Sequence, residues 1–331
     1  MEQNKVVVQR QWPHFVREIW QARNRIYAFA RKTPLVHSVP LSRDLGTSMY
    51  LKLDYLQEIG AFKIRGAANK ILSLSETQRA KGITTFSTGN HGLAVSYVAA
   101  KLGLRAVVCV SHEVPQMKVH AIEQMGGEVK RVGSSQDEAA EYSYKLVQDE
   151  GMTVIKPFDD ETIIAGQGTL GLELWEECPD LDTVLVPLSG GGLMAGVAMA
   201  VKSVDPSVRI IGVSMESGAA MYESLKAGKP VDVDEAETLA DSLRGGIGLD
   251  NKFTFPIVRE LADEIVLVSE EDIKAGLRYL YQEHRMLVEG AAATPVAAAM
   301  TQLREKLGRH NICLLTGNNV DPSILEEVLR S

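Results

Sequence analysis

Cysteine is scarce: Cys109, Cys178 and Cys313 are the only three in 331 residues. They are odd in number, far apart and form no Cys-x-x-Cys pair, which excludes a disulfide framework and fits a reducing, cytoplasmic compartment. Aromatics are only 6% of the chain, and no aromatic ladder or basic stripe appears. With 35 Lys plus Arg against 43 Asp plus Glu, the net charge of −8 repels a nucleic-acid backbone and an anionic membrane face alike. The seven histidines show no metal-ligand spacing, and His112 and His120, eight apart, read as solvated. No metal site is expected. The first thirty residues carry charges throughout and lack an apolar core with a small-residue cleavage site, so no secretory signal is read. A Pro/Ser/Gly linker, a repeat and a low-complexity tract are missing too, so any domains are joined closely.

Charge is missing altogether from Thr183 to Val201, nineteen residues, close to the roughly 18–20 that span a bilayer. Pro187-Leu-Ser189-Gly-Gly-Gly192 at its centre would break such a helix, whereas strand, glycine loop and helix explain every part of the run.

What is present is an ordinary globular mixture, 45% apolar and 24% charged, long enough for two domains of about 100–200 residues each. From about residue 80 onward, β-branched runs alternate with helical patterns. Strands are expected at 105–110, 128–132, 183–188, 209–214 and 312–315, and helices at 115–125, 136–150, 193–203 and 270–284, with Ser269 as N-cap. Ser75-Glu-Thr-Gln78 has capping-box spacing. Such alternation implies open, mostly parallel sheets. The stretch from Gly228 to Leu249 is the least regular and reads as a surface excursion or an active-site loop.

Four segments carry candidate chemistry. Ser189-Gly-Gly-Gly192-Leu193, between strand and helix, offers backbone N–H groups at a positive dipole end, suited to a phosphate; the alternatives are a plain tight turn or a dinucleotide fingerprint, Gly190-x-Gly192-x-x-Ala195, with Glu216 as the ribose-binding acid. Ser87-Thr-Gly-Asn-His-Gly92 suits a carboxylate, or is simply an N-capping turn. Lys63, between Phe62 and Ile64 with Gly60 and Gly66 on either side, is either a solvated surface charge or a desolvated amine of lowered pKa able to form a Schiff base. Thr316 lies at the end of a strand, where open parallel sheets place ligands, or in a turn before the last helix.

Taken together and in this order, these segments resemble the fold-type-II pyridoxal-phosphate enzymes, within them the threonine dehydratase and serine racemase family. Thr33-Pro-Leu35, Ile164-Ala-Gly-Gln-Gly-Thr169 and Thr238-Leu-Ala-Asp241 extend the resemblance over nearly the whole chain. Residues 214–220 and 239–251 look most like the hydroxyectoine-utilisation dehydratase branch. The resemblance implies a tryptophan synthase beta-like α/β fold: a large cofactor domain (1–75 and 158–331), a small domain (76–157) carrying the Ser-Thr-Gly-Asn-His loop, and the active site between them.

Carried over residue by residue, Lys63 is the Schiff-base lysine of pyridoxal 5'-phosphate and Phe62 packs by its ring. Asn90 meets the ring 3'-oxygen, Ser189, Gly190, Gly191, Gly192 and Leu193 cradle the phosphate, and Thr316 faces the pyridine nitrogen. Ser87, Thr88, Gly89, Asn90 and His91 hold the substrate carboxylate. The implied reaction is β-elimination from a small β-hydroxy amino acid, giving a 2-oxo acid and ammonia. Racemising relatives carry serine where Thr88 stands as the second acid/base, so elimination is expected over racemisation. A nicotinamide oxidoreductase is the remote alternative. Relatives often bind a cation after the strand matching 209–213, but only Glu216 is available there. The sequence stops about ten residues after Asp321, so no C-terminal regulatory domain is expected, and a homodimer is the family's assembly.

Overall fold

The computed structural model of the protein describes residues 12–87 and 89–330. Ten strands fall in chain order: β1 (Leu35–His37), β2 (Ser48–Leu53), β3 (Ile83–Thr85), β4 (Ala106–Val110), β5 (Glu128–Arg131), β6 (Thr153–Val154), β7 (Thr183–Pro187), β8 (Arg209–Met215), β9 (Glu264–Val268) and β10 (His310–Leu315). They build two open sheets, one of six strands ordered β1-β2-β10-β7-β8-β9 and one of four ordered β5-β4-β3-β6. Only β1 with β2 is antiparallel; β10 runs parallel to β2 from His310 against Ser48 to Leu315 against Leu53. All pairs of the smaller sheet are parallel.

Both sheets are covered on two faces, as parallel sheets require. Val184, Val186, Ile210, Ile312 and Leu314 enter one apolar cluster, while the alternating Leu185, Ile211, Val213, Cys313 and Leu315 enter the other. The smaller sheet divides the same way, with Ala106, Val108 and Val110 on one side and Val107 and Cys109 on the other. The three cysteines are buried free thiols.

Local signals produced the expected helices where they were strong. Gln136–Glu150 opens on a Ser135–Glu138 capping box and closes at left-handed Gly151, and Glu270–His284 opens on Ser269 with Asp272. The Ser75–Gln78 box forms as well. The uncharged run resolves into β7, a glycine turn and the helix Gly192–Val204; among the described residues no helix is long and apolar enough to cross a membrane.

The sequence reading did not assign the helices Glu161–Glu177 and Gly290–Thr301. Both are buried on nearly every side, so they carry no amphipathic stripe, and Pro295 and several glycines disguise them further. In the helix Lys63–Ser73, Ile64, Ala67, Ala68 and Ile71 join the cluster of the four-stranded sheet, while the two residues before it, Ala61 and Phe62, pair with the chain leaving β10.

Candidate active site

The chain leaves β10 and immediately zips against the segment before Lys63. Phe62 N donates to Thr316 O at 2.9 Å, Ala61 bridges Gly317, and Asn318 N donates to Gly60 O at 2.9 Å. Gly60 has φ +71°, and a Cβ there would overlap Asn318 Oδ1, so glycine is required for this approach. Lys63 thus starts its helix at the carboxyl edge of the larger sheet, one residue from the Phe62 ring, whose centroid lies 5.3 Å from Nζ. Its amine donates to Pro157 O at 3.0 Å. The side chain stays partly open to the cleft, yet the surrounding protein desolvates the amine and pulls it down to about 8, with Glu289 opposing the fall.

Across the cleft, β7 ends at Pro187 and the helix Gly192–Val204 begins without a side-chain cap. Its first N–H groups are therefore left for an anion. Gly191 is left-handed at φ +85°, and Phe158 lies against Gly190 and Gly192, with its Cβ 2.9 Å from where a Gly192 Cβ would stand. Side chains at 190 or 192 would collide with Phe158. A Cβ on Gly196 would strike Ile164 O, so this helix presses closely on Glu161–Glu177. The glycines of Ile164–Thr169 are thereby explained as helix packing.

The third wall comes from the smaller sheet. Beyond β3, the helix Asn90–Lys101 begins at Asn90. Asn90 Nδ2 donates to Glu289 Oε1 and Oε2 at 3.1 and 3.0 Å, and its Oδ1 accepts from Asn319 Nδ2 at 2.7 Å. His91 is buried, and its Nε2 donates to Ile155 O at 2.9 Å, while Nδ1 has no partner among the described residues. Burial and then the nearby Lys63 charge bring His91 down to about 3, so the ring is neutral and Nδ1 is an acceptor. A carboxylate would therefore meet the backbone N–H groups of this helix start rather than the imidazole. Ser87 is half-buried, and Thr88 lies outside the described residues. Thr316 is buried, one residue beyond β10.

Two features escaped the sequence reading. Glu289 is one; its signal was a lone charge in an otherwise uncharged run from Met286 to Met300. The other is a buried ionic network under Lys63. Arg65 pairs with Asp54 at 2.7 Å and Glu173 at 2.6 Å and donates to Thr169 Oγ1 at 3.1 Å, while Lys52 meets Glu173 at 2.9 Å and Thr33 O at 2.6 Å. Burial alone would raise the Asp54 carboxyl, but Arg65 and the hydrogen bonds from Gln57 and Thr33 outweigh it and hold it below the usual range. Thr33 and Thr169 of the motif segments thus brace this network. Spacing in sequence gave no hint that residues 52, 54, 65 and 173 meet.

Comparison with known proteins accords with this geometry. Residues 26–317 match the family described as pyridoxal-phosphate dependent enzyme. A Sinorhizobium fredii protein carrying a threonine dehydratase name is 49% identical over 311 residues, 94% of each chain. Among solved structures, the processed threonine deaminase isoform 2 of Solanum lycopersicum superposes with TM-score 0.89 at 33% identity, covering 96% of this chain and 86% of that one. Maize serine racemase superposes with TM-score 0.88 at 32% identity, covering 95% and 96%. The dinucleotide reading of Gly190–Ala195 is corrected by that family match, and its supposed ribose acid, Glu216, is an exposed residue whose N–H is spent on Val268 O.

Proposed function

The chain belongs to the pyridoxal-phosphate dependent enzymes, and from that premise we propose that it is an ammonia-lyase acting on a small β-hydroxy amino acid of the threonine and serine class. The observation that carries the reading is Lys63: a desolvated amine that donates to the Pro157 carbonyl, next in sequence to Phe158, which packs on the glycine turn before an uncapped helix start. The residues present fit the cofactor. Ser189–Leu193 would hold its phosphate, Asn90 its ring oxygen, Thr316 its ring nitrogen and Phe62 one side of its ring. The bound cofactor supplies an aldehyde carbon for an amine and an electron-withdrawing ring.

The chain's own groups do the rest. Backbone N–H groups at the start of the Asn90 helix bind the substrate carboxylate, fixing Cα over the cleft. The amine of Lys63, neutral above about pH 8, takes the Cα proton. The Cα–H electron pair becomes a Cα=Cβ bond as the Cβ–O bond breaks, and the hydroxyl takes up one proton, balancing the one lost from Cα, and leaves as water; water taken up on hydrolysis then releases ammonia and the 2-oxo acid. Thr316, a neutral hydroxyl, does not hold a proton on the ring nitrogen as a carboxylate would, which favours elimination over transamination. Neutral His91 accepts without adding positive charge beside Lys63.

Lys63→Ala should abolish ammonia release from L-threonine and L-serine and lose the borohydride-trapped cofactor from the Lys63 peptide; full turnover in that variant refutes the reading. Similarity of residues 214–220 and 239–251 to the hydroxyectoine-utilisation branch supports an opened hydroxyectoine derivative as substrate. An ammonia-release screen over L-serine, L-threonine, β-hydroxyaspartate, phenylserine and such derivatives ranks them. Structural similarity to a serine racemase supports racemisation as second reading. D-Serine forming faster than oxo acid from L-serine would reverse the order.

A further inference from the structure

Glu289 is buried, only 6% exposed, and its carboxyl group accepts every side-chain bond it makes: the Asn90 amide, and Ser242 Oγ at 2.6 Å. Its own N–H donates to Gly317 O at 3.0 Å, and a Cβ on Gly317 would stand 2.6 Å from that carboxyl group. Gly317 in turn bridges Ala61, two residues before Lys63. The carboxylate is therefore clamped to the strip that positions the reactive amine. Donors on all sides suit the ionised form; a carboxamide would turn an N–H against either Asn90 or Ser242.

The two oxygens of one carboxylate, 3.1 and 3.0 Å from Asn90 Nδ2, subtend a much smaller angle there than the two N–H bonds of an amide. They share one N–H. Asn319 occupies Asn90 Oδ1, so the amide cannot flip, and its second N–H is left over. We propose that Glu289 is a positioning residue: its ionised carboxylate fixes Asn90 so that the remaining N–H points at the cofactor's ring oxygen, and it stands as the counter-charge to the Lys63 amine. The inference rests on Lys63 and Asn90 being the cofactor's partners as proposed above.

The titratable groups around this pair are few. His91 is neutral beside Lys63, and Asp241 lies on the Ser242 side of Glu289. Burial pulls Lys63 down while Glu289 holds it up, and burial pushes Glu289 itself up, against the hydrogen bonds from Ser242 and Asn90. Removing the Glu289 charge must then lower Lys63 further, a change that mere loss of packing would not produce.

The test uses the whole chain without cofactor. The pH midpoint for acylation of Lys63 by acetic anhydride is read by peptide mass spectrometry, and pyridoxal phosphate affinity is measured alongside. Glu289→Gln is expected to keep its fold by near-ultraviolet circular dichroism, to move the Lys63 midpoint down by about one pH unit, a tenfold change in the amine's protonation equilibrium, and to weaken cofactor binding because Asn90 loses its fixed orientation. Glu289→Asp, which keeps the charge on a shorter arm, should retain the midpoint yet weaken the cofactor, and it carries the test should the glutamine variant fail to fold. An unmoved midpoint in folded Glu289→Gln, or a midpoint in Glu289→Asp that falls by a full unit, overturns the inference. Borohydride trapping on wild-type holoenzyme separates the two readings: cofactor on another lysine overturns both, while cofactor on Lys63 with an unmoved midpoint overturns this one alone.

Discussion

A lysine held at about 8 instead of its ordinary value of 10.5 is a base whose working range lies near neutrality. Because burial lowers a cation, Lys63 of the cofactor-free chain is neutral above about pH 8 and protonated below, so its acylation by acetic anhydride should climb with pH and level off above that value. A profile that begins to rise only near the ordinary lysine value would show that the amine is not desolvated. The glycines opposite are equally exacting. Gly190→Ala drives a methyl into the Phe158 ring, so we expect pyridoxal phosphate affinity to fall at least about tenfold with little loss of fold, read by cofactor fluorescence titration. At this scale the sequence singled out Lys63, Asn90, the Ser189 loop and Thr316, and contacts link part of that set: Phe62 N donates to Thr316 O, and Asn319, three residues further on, donates to Asn90. It did not name Glu289, because a lone acid in an alanine-rich run looks the same whether it faces solvent or Asn90.

Elements meet here through small residues and buried charge. The helix Glu161–Glu177 touches the Lys63 helix where a Cβ on Gly166 would lie 2.6 Å from Arg65 O, and it touches the Gly192 helix through Gly168 and Gly196. Gly196→Leu should cost about 1–3 kcal/mol by overpacking, seen as a lower urea midpoint. The Arg65 network holds the same pair of helices, and removing one member strands opposite charges away from water. Arg65→Met should therefore lose about 3–5 kcal/mol, measured by urea unfolding, and lower cofactor affinity as Lys63 shifts. Asp54 lies below its ordinary value, so its contribution is present above the unfolded carboxylate's range and is lost as pH falls through its own lower value. Acid unfolding of Arg65→Met should accordingly be less steep than that of wild type. Where caps and periods were strong, as at Gln136–Glu150 and Glu270–His284, the elements were legible; helices buried all round left no pattern to read.

Across the whole molecule, the two sheets are tied by Asn90 to Glu289 and Lys118 to Asp241 at 2.9 Å, and the proposed cofactor would be held by residues from both. A ligand bridging them stabilises the fold by mass action, about 2.7 kcal/mol at a hundredfold excess over its dissociation constant, so saturating pyridoxal phosphate should raise the melting temperature of wild type and raise it less in Lys63→Ala. Net charge of −8 is no obstacle to two anionic ligands, since backbone N–H groups at helix starts attract them without formal charge.

The amino-acid sequence by itself determined the class of fold and, through its motifs, the pyridoxal-phosphate family, because strand and helix periods, caps and glycine turns are local and survive without a partner. Only the tertiary structure decided which distant charges meet. Asp54 with Arg65 and Glu173, and Asn90 with Glu289, are joined by parallel crossovers whose register no local pattern encodes, and burial there sets both the Lys63 amine and the neutral His91 ring.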